Sequence, residues 1–240
     1  MKVLKFTILA VFVTTFFVAE SQTVPDCGSV SDVDGNVYST IVIGGKCWMR
    51  ENLRTTHYSD GKNVLPNPQI PNGNNSETLR FGLLYTWFSV LNGSEPTEET
   101  DGRVQGVCPD GWHVPSNFEW MNLEDVVGYK DYLRCGEDVN NVAKALCAEE
   151  EWQSETDNAA ECSVAQDVKT NNATGFSVLP AGNFWNGQYA GFGTEAGFWT
   201  CSNGSDETSP IHFFYSQNAK VEINCTPKDA FYSVRCVKND

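Results

Sequence analysis

Five side chains in the last third of the sequence have the chemistry of a sugar-binding site. Trp and Tyr rings stack on the apolar faces of sugar rings, and Asn side chains hydrogen-bond to hydroxyl groups. The candidates are Asn183, Trp185, Tyr189, Trp199 and Asn203, which lie in Gly-rich loops of this part of the chain. The two tryptophans could instead lie in the core, which is the commoner fate of a large aromatic side chain. The first interpretation predicts ligand-binding residues at all five positions.

The three histidines do not form a recognisable catalytic motif. His57, His113 and His212 stand apart, and the sequence contains no His-Glu-x-x-His, no Gly-x-Ser-x-Gly and no Gly-rich phosphate loop. His113 directly precedes a predicted helix, where we expect its ring to order the loop rather than to act as a base. We therefore expect a protein that is not an enzyme.

A short acidic segment, Asp32-Val33-Asp34-Gly35-Asn36, resembles the first positions of a calcium-binding loop. The bidentate Glu expected at the twelfth loop position is missing, because Ile43 stands there. A turn that leads into a β-branched run from Val37 to Ile43 accounts for the segment better. We predict no metal and no cofactor.

The beginning of the chain and the cysteines indicate an exported protein. Lys2 and Lys5 precede an apolar run and a small-residue pattern, which predicts a cleavable signal over residues 1–21 and a single domain over 22–240. Nine cysteines in an oxidising compartment are expected to form disulfides and to leave one thiol over. No two of them stand in a Cys-x-x-Cys arrangement, so a zinc site or a redox dithiol is not indicated. Sequence alone does not fix the pairing.

The charge of the chain narrows the class of partner. Sixteen basic residues against 31 acidic ones give a net charge of −15, so binding to nucleic acid or to an anionic membrane would be opposed electrostatically. No later segment is apolar enough to span a bilayer. The expected partner is a glycan or a surface protein, with no nucleic acid and no membrane insertion, and the oligomeric state is open.

The candidate residues require a scaffold, and the patterns predict an α+β domain. A hairpin over residues 32–43 leads through Gly44-Gly45 into a further strand at 46–49. A capping box formed by Ser116 and Glu119 predicts a helix that begins near Ser116, and a second helical segment is expected over 139–152. Segments 55–78 and 92–106 are long loops. After residue 171 short strands and Gly-rich turns follow, so the terminal strands could pair with each other.

Seven short blocks of the sequence carry a resemblance to a known family. They are Asp34-Gly35-Asn36-x-Tyr38, Ile43-Gly44, Trp48-Met49-x-Glu51-Asn52-Leu53-Arg54-Thr55, Gly82-x-Leu84-Tyr85-x-Trp87, Cys108-Pro109-x-Gly111-Trp112-His113-Val114-Pro115-Ser116, Gly175-Phe176-Ser177-x-Leu179-Pro180-x-Gly182 and Ser233-Val234-Arg235-Cys236-Val237. They cover nearly all of the chain beyond the predicted signal. Together and in this order, they resemble the Fibrobacter succinogenes major paralogous domain family.

The resemblance implies a disulfide-stabilised, C-type-lectin-like topology with two helices, short antiparallel sheets and long loops, similar to the C-type lectins and the formylglycine-generating enzymes. It also implies a bond between Cys108 and Cys236, which lie within family blocks. The further pairs that we expect are Cys27 with Cys47, Cys201 with Cys225, and Cys147 with Cys162, which leaves Cys135 over.

The function expected from these observations is that of a secreted or cell-surface binding module that recognises glycans or a surface partner. The alternative is a structural or adhesive subunit of an extracellular appendage or matrix, in which a spare Cys135 cross-links neighbouring chains. An oxidase similar to the formylglycine-generating enzymes would need a reactive pair of cysteines near the C-terminus. Cys225 and Cys236 match such a pair only weakly.

Overall fold

The computed structural model describes residues 26–99, 104–154 and 159–240, so the predicted signal at 1–21 lies outside the described residues. The described residues form twelve short strands and four α-helices. The strands are β1 (Ser29–Ser31), β2 (Val37–Ile43), β3 (Lys46–Met49), β4 (Tyr85–Thr86), β5 (Trp112–His113), β6 (Asn183–Trp185), β7 (Gln188–Ala190), β8 (Glu195–Trp199), β9 (Thr208–Tyr215), β10 (Glu222–Pro227), β11 (Phe231–Tyr232) and β12 (Val237–Lys238). The helices are α1 (Thr78–Phe81), α2 (Trp87–Leu91), α3 (Asn117–Gly128) and α4 (Ala143–Leu146).

The predicted meander at the start of the domain is confirmed. β1 pairs antiparallel with β2, and β2 pairs antiparallel with β3 across the Gly44-Gly45 turn. β12, near the C-terminus, then lies between β3 and β5, with Val237 opposite both Trp48 and His113. The resulting five-stranded sheet has the order β1-β2-β3-β12-β5, so the first and last strands of the described chain share one sheet.

Helix α3 begins as the capping box predicts. The Ser116 side chain accepts a hydrogen bond from the Glu119 amide, and the Glu119 carboxylate accepts one from the Ser116 amide at 2.9 Å. Trp120 is fully buried on the inner face of this helix, with its ring centroid 5.1 Å from those of Trp48 and Phe198. The helix therefore packs one aromatic stripe into the core between the sheets.

The second predicted helix, over 139–152, is wrong in extent, because only α4 (Ala143–Leu146) is helical. Beyond it the backbone turns to an extended conformation, with the amide of Ala148 donating to the carbonyl of Val178 and the amide of Val178 donating to the carbonyl of Leu146. The apolar residues of the pattern are buried as expected. The segment pairs with Val178 and packs in a core cluster with Phe176 and Val178, which periodicity along the chain does not reveal.

The strands of the C-terminal half form two small antiparallel sheets. One has the order β10-β9-β8, and the other has the order β4-β11-β6-β7. Short helices α1 and α2, which the sequence did not predict, precede and follow β4. The protein is thus an α+β fold of small antiparallel sheets, with four helices among the described residues where two were expected. None of these helices has the length and apolarity needed to cross a membrane.

Three disulfides join parts of the described chain. Cys27 bonds to Cys47, which confirms one of the further expected pairs, and Cys108 bonds to Cys236, as the resemblance implied. In the chain-entropy model the second bond, with a sequence separation of 128, stabilises the fold by about 5 kcal/mol. The third bond corrects the prediction, because Cys162 pairs with Cys135 and not with Cys147.

The unpaired cysteines are Cys147, Cys201 and Cys225, so the predicted bond between Cys201 and Cys225 is wrong as well. Cys147 and Cys201 are buried, whereas Cys225 is exposed on β10. Burial raises the pKa of the Cys201 thiol to about 12, which keeps it protonated and unreactive. Cys135, predicted to be the spare thiol, is not available for cross-linking.

Candidate functional site

The hairpin of β6 and β7 presents the most exposed tryptophan among the candidate residues. Trp185 lies opposite Gln188, and the two-residue loop between them is Asn186-Gly187. Both loop residues have positive φ, 49° and 79°, which is the conformation that an Asn-Gly hairpin turn adopts. The tight turn holds Trp185 at the end of the sheet with 42% of its surface exposed.

Pairing within this hairpin separates two of the predicted ligand-binding residues. Phe184 lies opposite Tyr189, and the two rings are in contact with centroids 4.7 Å apart. Residues directly opposite each other share a face of the sheet, and successive residues alternate between faces. Tyr189 and Trp185 therefore lie on opposite faces, which excludes a single platform made of both rings.

Polar groups surround the indole of Trp185. Its Nε1 donates to Oδ1 of Asp229 at 3.2 Å, and the exposed Gln188 lies beside it on the same face. Asn183, two residues earlier on β6, also faces this side. We call Asn183, Trp185, Gln188 and Asp229 the Trp185 face.

A half-buried carboxylate adjoins the Trp185 face. Asn183 Nδ2 donates to Glu195 Oε1 at 3.0 Å, and Glu195 lies opposite Tyr215 where β8 begins. Desolvation by burial raises the pKa of Glu195, and the hydrogen bond from Asn183 opposes the shift. Burial, with Glu195 nearby, also raises the pKa of Tyr215 to about 12, so its hydroxyl remains a donor at neutral pH.

Glu195 and Tyr215 line an open cleft of about 470 Å³. Hydroxyl and amide side chains supply much of the remaining wall: Thr194, Ser216, Gln217 and Asn218. A cleft of this size and polarity can accept hydroxyl-rich groups, because each wall residue offers a donor or an acceptor. Sequence reasoning did not select Gln188, Asp229, Glu195 or Tyr215, although the Asn186-Gly187 signal could have predicted the hairpin that carries Trp185 and Gln188.

Trp199 and Asn203, the remaining predicted ligand-binding residues, do not join the Trp185 face. Trp199 is fully buried, and its Nε1 donates to the carbonyl of Tyr85 at 2.7 Å. The amide oxygen of Asn203 accepts a hydrogen bond from Lys228 Nζ at 2.7 Å, and that ammonium group lies 4.2 Å from the ring centroid of Trp87. Trp199 is therefore a core residue, and Asn203 is engaged in positioning a lysine. Of the five candidates, only Asn183 and Trp185 are brought together.

All three histidines contact carboxylates. His113 is buried between Glu119, at 3.0 Å, and Asn239, so it ties the loop before α3 to the helix as predicted. His212 is fully buried, 2.6 Å from Glu124. His57 is half-exposed and lies 2.5 Å from Asp34.

The acidic segment near the N-terminus uses its carboxylates to hold a turn. Asp32 accepts hydrogen bonds from the amide of Asn36 at 2.9 Å and from the hydroxyl of Tyr38 at 2.6 Å. Asp34 accepts from the amide of Thr56 at 2.6 Å. Over the described ranges no group of three or more His, Cys, Asp or Glu residues is arranged to hold a metal ion.

Comparison with known proteins identifies the family. No curated protein and no solved structure is significantly similar to the chain. The sequence model of the Fibrobacter succinogenes major domain matches residues 41–238, which include β3, α3, the Trp185 face and β12. This match covers most of the chain and includes six of the seven sequence blocks, while the first block, at residues 34–38, lies just before it. The chain therefore belongs to the Fibrobacter succinogenes major domain family.

Proposed function

We propose that the protein is a secreted or cell-surface, non-catalytic binding module that recognises glycans through the Trp185 face. The observation that carries the proposal is the exposed indole of Trp185, flanked by the carboxylate of Asp229 and the amides of Gln188 and Asn183. An aromatic ring with hydrogen-bonding groups at its edge matches a sugar, which has an apolar face and a rim of hydroxyls.

The face is organised before any ligand arrives. The hydrogen bond from Trp185 Nε1 to Asp229 fixes the orientation of the indole, and the Asn-Gly turn fixes the backbone that carries it. Immobilising a ring in its binding orientation reduces the entropy lost on association. The cleft beside Glu195 would then serve as an adjoining subsite, since Asn183 contacts that carboxylate directly.

The proposal extends to topology and location. A C-type-lectin-like arrangement is supported by the pairing of β12 with β3 and by the Cys108–Cys236 bond, which ties the loop before α3 to the last strand. Three disulfides support an oxidising, extracellular compartment. Mass spectrometry of protein recovered from the medium should find a mature N-terminus at residue 22.

The decisive experiment compares two variants of the same hairpin. The purified protein, with its disulfides intact, is applied to a broad glycan and polysaccharide panel alongside Trp185→Ala and Tyr189→Ala. Tyr189 is a matched control, because it is similarly exposed, at 38%, but lies on the opposite face. Running the panel with calcium and with chelator shows whether a cation contributes.

The proposal predicts that Trp185→Ala loses binding at least about tenfold while Tyr189→Ala binds like the unaltered protein. A sugar face that covers the exposed 42% of the indole removes about 100 Å² of apolar surface from water, which contributes on the order of 2.5 kcal/mol. Equal losses in the two variants would refute the assignment to the Trp185 face. A blank panel for the unaltered protein would refute glycan recognition and favour the second candidate.

That second candidate, a structural or adhesive subunit, is favoured by β10. This strand is at the edge of its sheet and is mostly exposed, including the apolar Ile223 and the free thiol of Cys225. Exposed edge strands can pair with another chain. A reducible dimer that disappears in Cys225→Ser would support covalent assembly through this edge.

A further inference from the structure

A second cleft, of about 260 Å³, is lined by more arginines than carboxylates, although the chain as a whole is acidic. Three arginines and one glutamate contribute to its lining, namely Arg50, Arg80, Arg235 and Glu51. Arg80 forms ion pairs with Glu150 and Glu151, at 2.9 and 2.6 Å. Arg50 and Arg235, by contrast, make no ion pair with any residue in the described ranges. We call this the arginine cleft.

Arg235 is a buried cation whose hydrogen-bonding partners are all neutral. Its Nε donates to Asn52 Oδ1 at 3.0 Å, its Nη1 donates to the carbonyl of Phe176, and its Nη2 donates to that of Ser177 at 2.8 Å. Only 1% of the residue is exposed. Burial lowers the pKa of Arg235 to about 9, so the guanidinium is still charged at neutral pH. The nearby carboxylate of Glu51 stabilises this charge electrostatically, and an anion in the adjoining cleft would add a partner in direct contact.

Arg50 lines the same cleft and has hydrogen-bond donors without a partner among the described residues. Its Nε donates to the carbonyl of Gly175 at 2.9 Å, which anchors the side chain, and neither Nη group has a partner among the described residues. Glu51, the one carboxylate of the lining, accepts hydrogen bonds from the amide and the hydroxyl of Ser39 at 2.8 and 2.6 Å and forms no ion pair with Arg50 among the described residues. A guanidinium held at Nε with both Nη groups free presents the fork that oxyanions bind.

The wall of the arginine cleft also contains backbone in an unfavourable conformation. Ser177 has a φ of 60°, in the left-handed region that non-glycine residues rarely adopt. Asn172 holds it there by accepting from the Ser177 amide at 2.9 Å, while Arg235 bonds its carbonyl. Strain of this kind is retained where the surroundings over-determine it, commonly at ligand sites.

We propose that the arginine cleft binds a small oxyanion, a carboxylate or a sulfate group, between Arg50 and Arg235. The oxyanion could come from a free inorganic ion or from the charged group of an acidic sugar. The site is separate from the Trp185 face and is built by different segments of the chain.

The test is a titration followed by the ¹H–¹⁵N signals of the arginine side chains, with sulfate, glucuronate and neutral glucose as probes. Sodium chloride at matched ionic strength corrects for screening. The variants are Arg50→Gln and the control Lys62→Gln, which removes one positive charge from an exposed side chain that pairs only with Asp60. Trp185→Ala is included because it should leave oxyanion binding unchanged even where it abolishes glycan binding.

We expect saturable shifts of the Arg50 Nε–H signal with sulfate and glucuronate and none with glucose. Arg50→Gln should weaken binding about tenfold or more, since a charge-assisted hydrogen bond is lost, and Lys62→Gln should stay within about twofold. Tighter binding of glucuronate than of sulfate indicates an acidic sugar, and the reverse indicates a free ion. Equal affinities of Arg50→Gln and the unaltered protein, equal losses in Arg50→Gln and Lys62→Gln, or no saturable response would overturn the proposal.

Discussion

Replacing Trp199 or Trp185 by alanine should show which of the two side chains supports the core, because Trp199→Ala should destabilise the fold much more than Trp185→Ala. Trp199 is fully buried, and its ring packs edge-on against Tyr232 with centroids 5.7 Å apart. A tryptophan side chain buries up to about 250 Å², which corresponds to about 5–6 kcal/mol of transfer free energy, and measured losses for such truncations are about 3–5 kcal/mol. The carbonyl of Tyr85 would also lose its donor. We expect Trp199→Ala to lower the free energy of unfolding by about 4–5 kcal/mol.

Trp185→Ala should have a much smaller effect on stability. With 42% of its surface exposed, the side chain has less transfer free energy to lose, and water fills the vacated space, so no cavity term is added. Its hydrogen bond to Asp229 is exposed to solvent, where the net contribution is about 1 kcal/mol or less. We expect a loss of about 1–2 kcal/mol.

Urea unfolding followed by far-ultraviolet circular dichroism, with the disulfides oxidised, measures both losses. Tyr189→Ala serves as the control for removing an exposed ring from the same hairpin. A difference of at least about 2 kcal/mol between the two tryptophan variants is expected. Equal destabilisation by Trp185→Ala and Trp199→Ala would refute the argument, because it would mean that the hairpin indole supports the fold as much as a core residue does.

Two further predictions concern titratable groups. Because burial raises the pKa of Glu195 above its ordinary value of 4.5, the folded protein binds this proton more tightly than the unfolded chain, and the stability it contributes is lost as the pH rises through the folded pKa. Glu195→Gln should therefore gain stability relative to the unaltered protein as the pH rises above about 4.5, and a pH-independent difference in urea midpoints would contradict this. Ellman's reagent should modify one thiol, that of Cys225, in the folded protein. The thiols of Cys147 and Cys201 should react only after denaturation, and rapid reaction of all three in the folded protein would contradict the burial of these two.

Features specified by neighbouring residues were predictable from the sequence. The capping box at Ser116 and Glu119 involves groups three residues apart, and it places the start of α3 correctly. The turn at Asp34-Gly35 and the β-branched run after it likewise specify the first hairpin. In each case the chemistry that forms the structure lies within the span of one turn.

Features decided by distant partners were not predictable in this way. Residues 147–152 leave the helical path because Val178 offers a backbone partner some 30 residues later in the sequence. The partner of Cys162 was not predictable for the same reason. A bond to Cys135 or to Cys147 closes a loop of acceptable length, and only the folded backbone selects between them. Family blocks supplied the long-range information for Cys108 and Cys236, and that pair was right.

The candidate site shows how the alternation of side chains along a strand decides which residues share a face. Trp185 and Tyr189 are both exposed aromatic residues on one hairpin, and composition alone assigns them to one platform. The Asn186-Gly187 turn sets Trp185 opposite Gln188, so Tyr189, one residue further along β7, falls on the other face. A loop longer or shorter by one residue would change this pairing. The polar surroundings of Trp185 therefore depend on the length of a two-residue turn, and an insertion after Gly187 should abolish ligand binding while β6 and β7 remain exposed and the core around Trp199 stays intact.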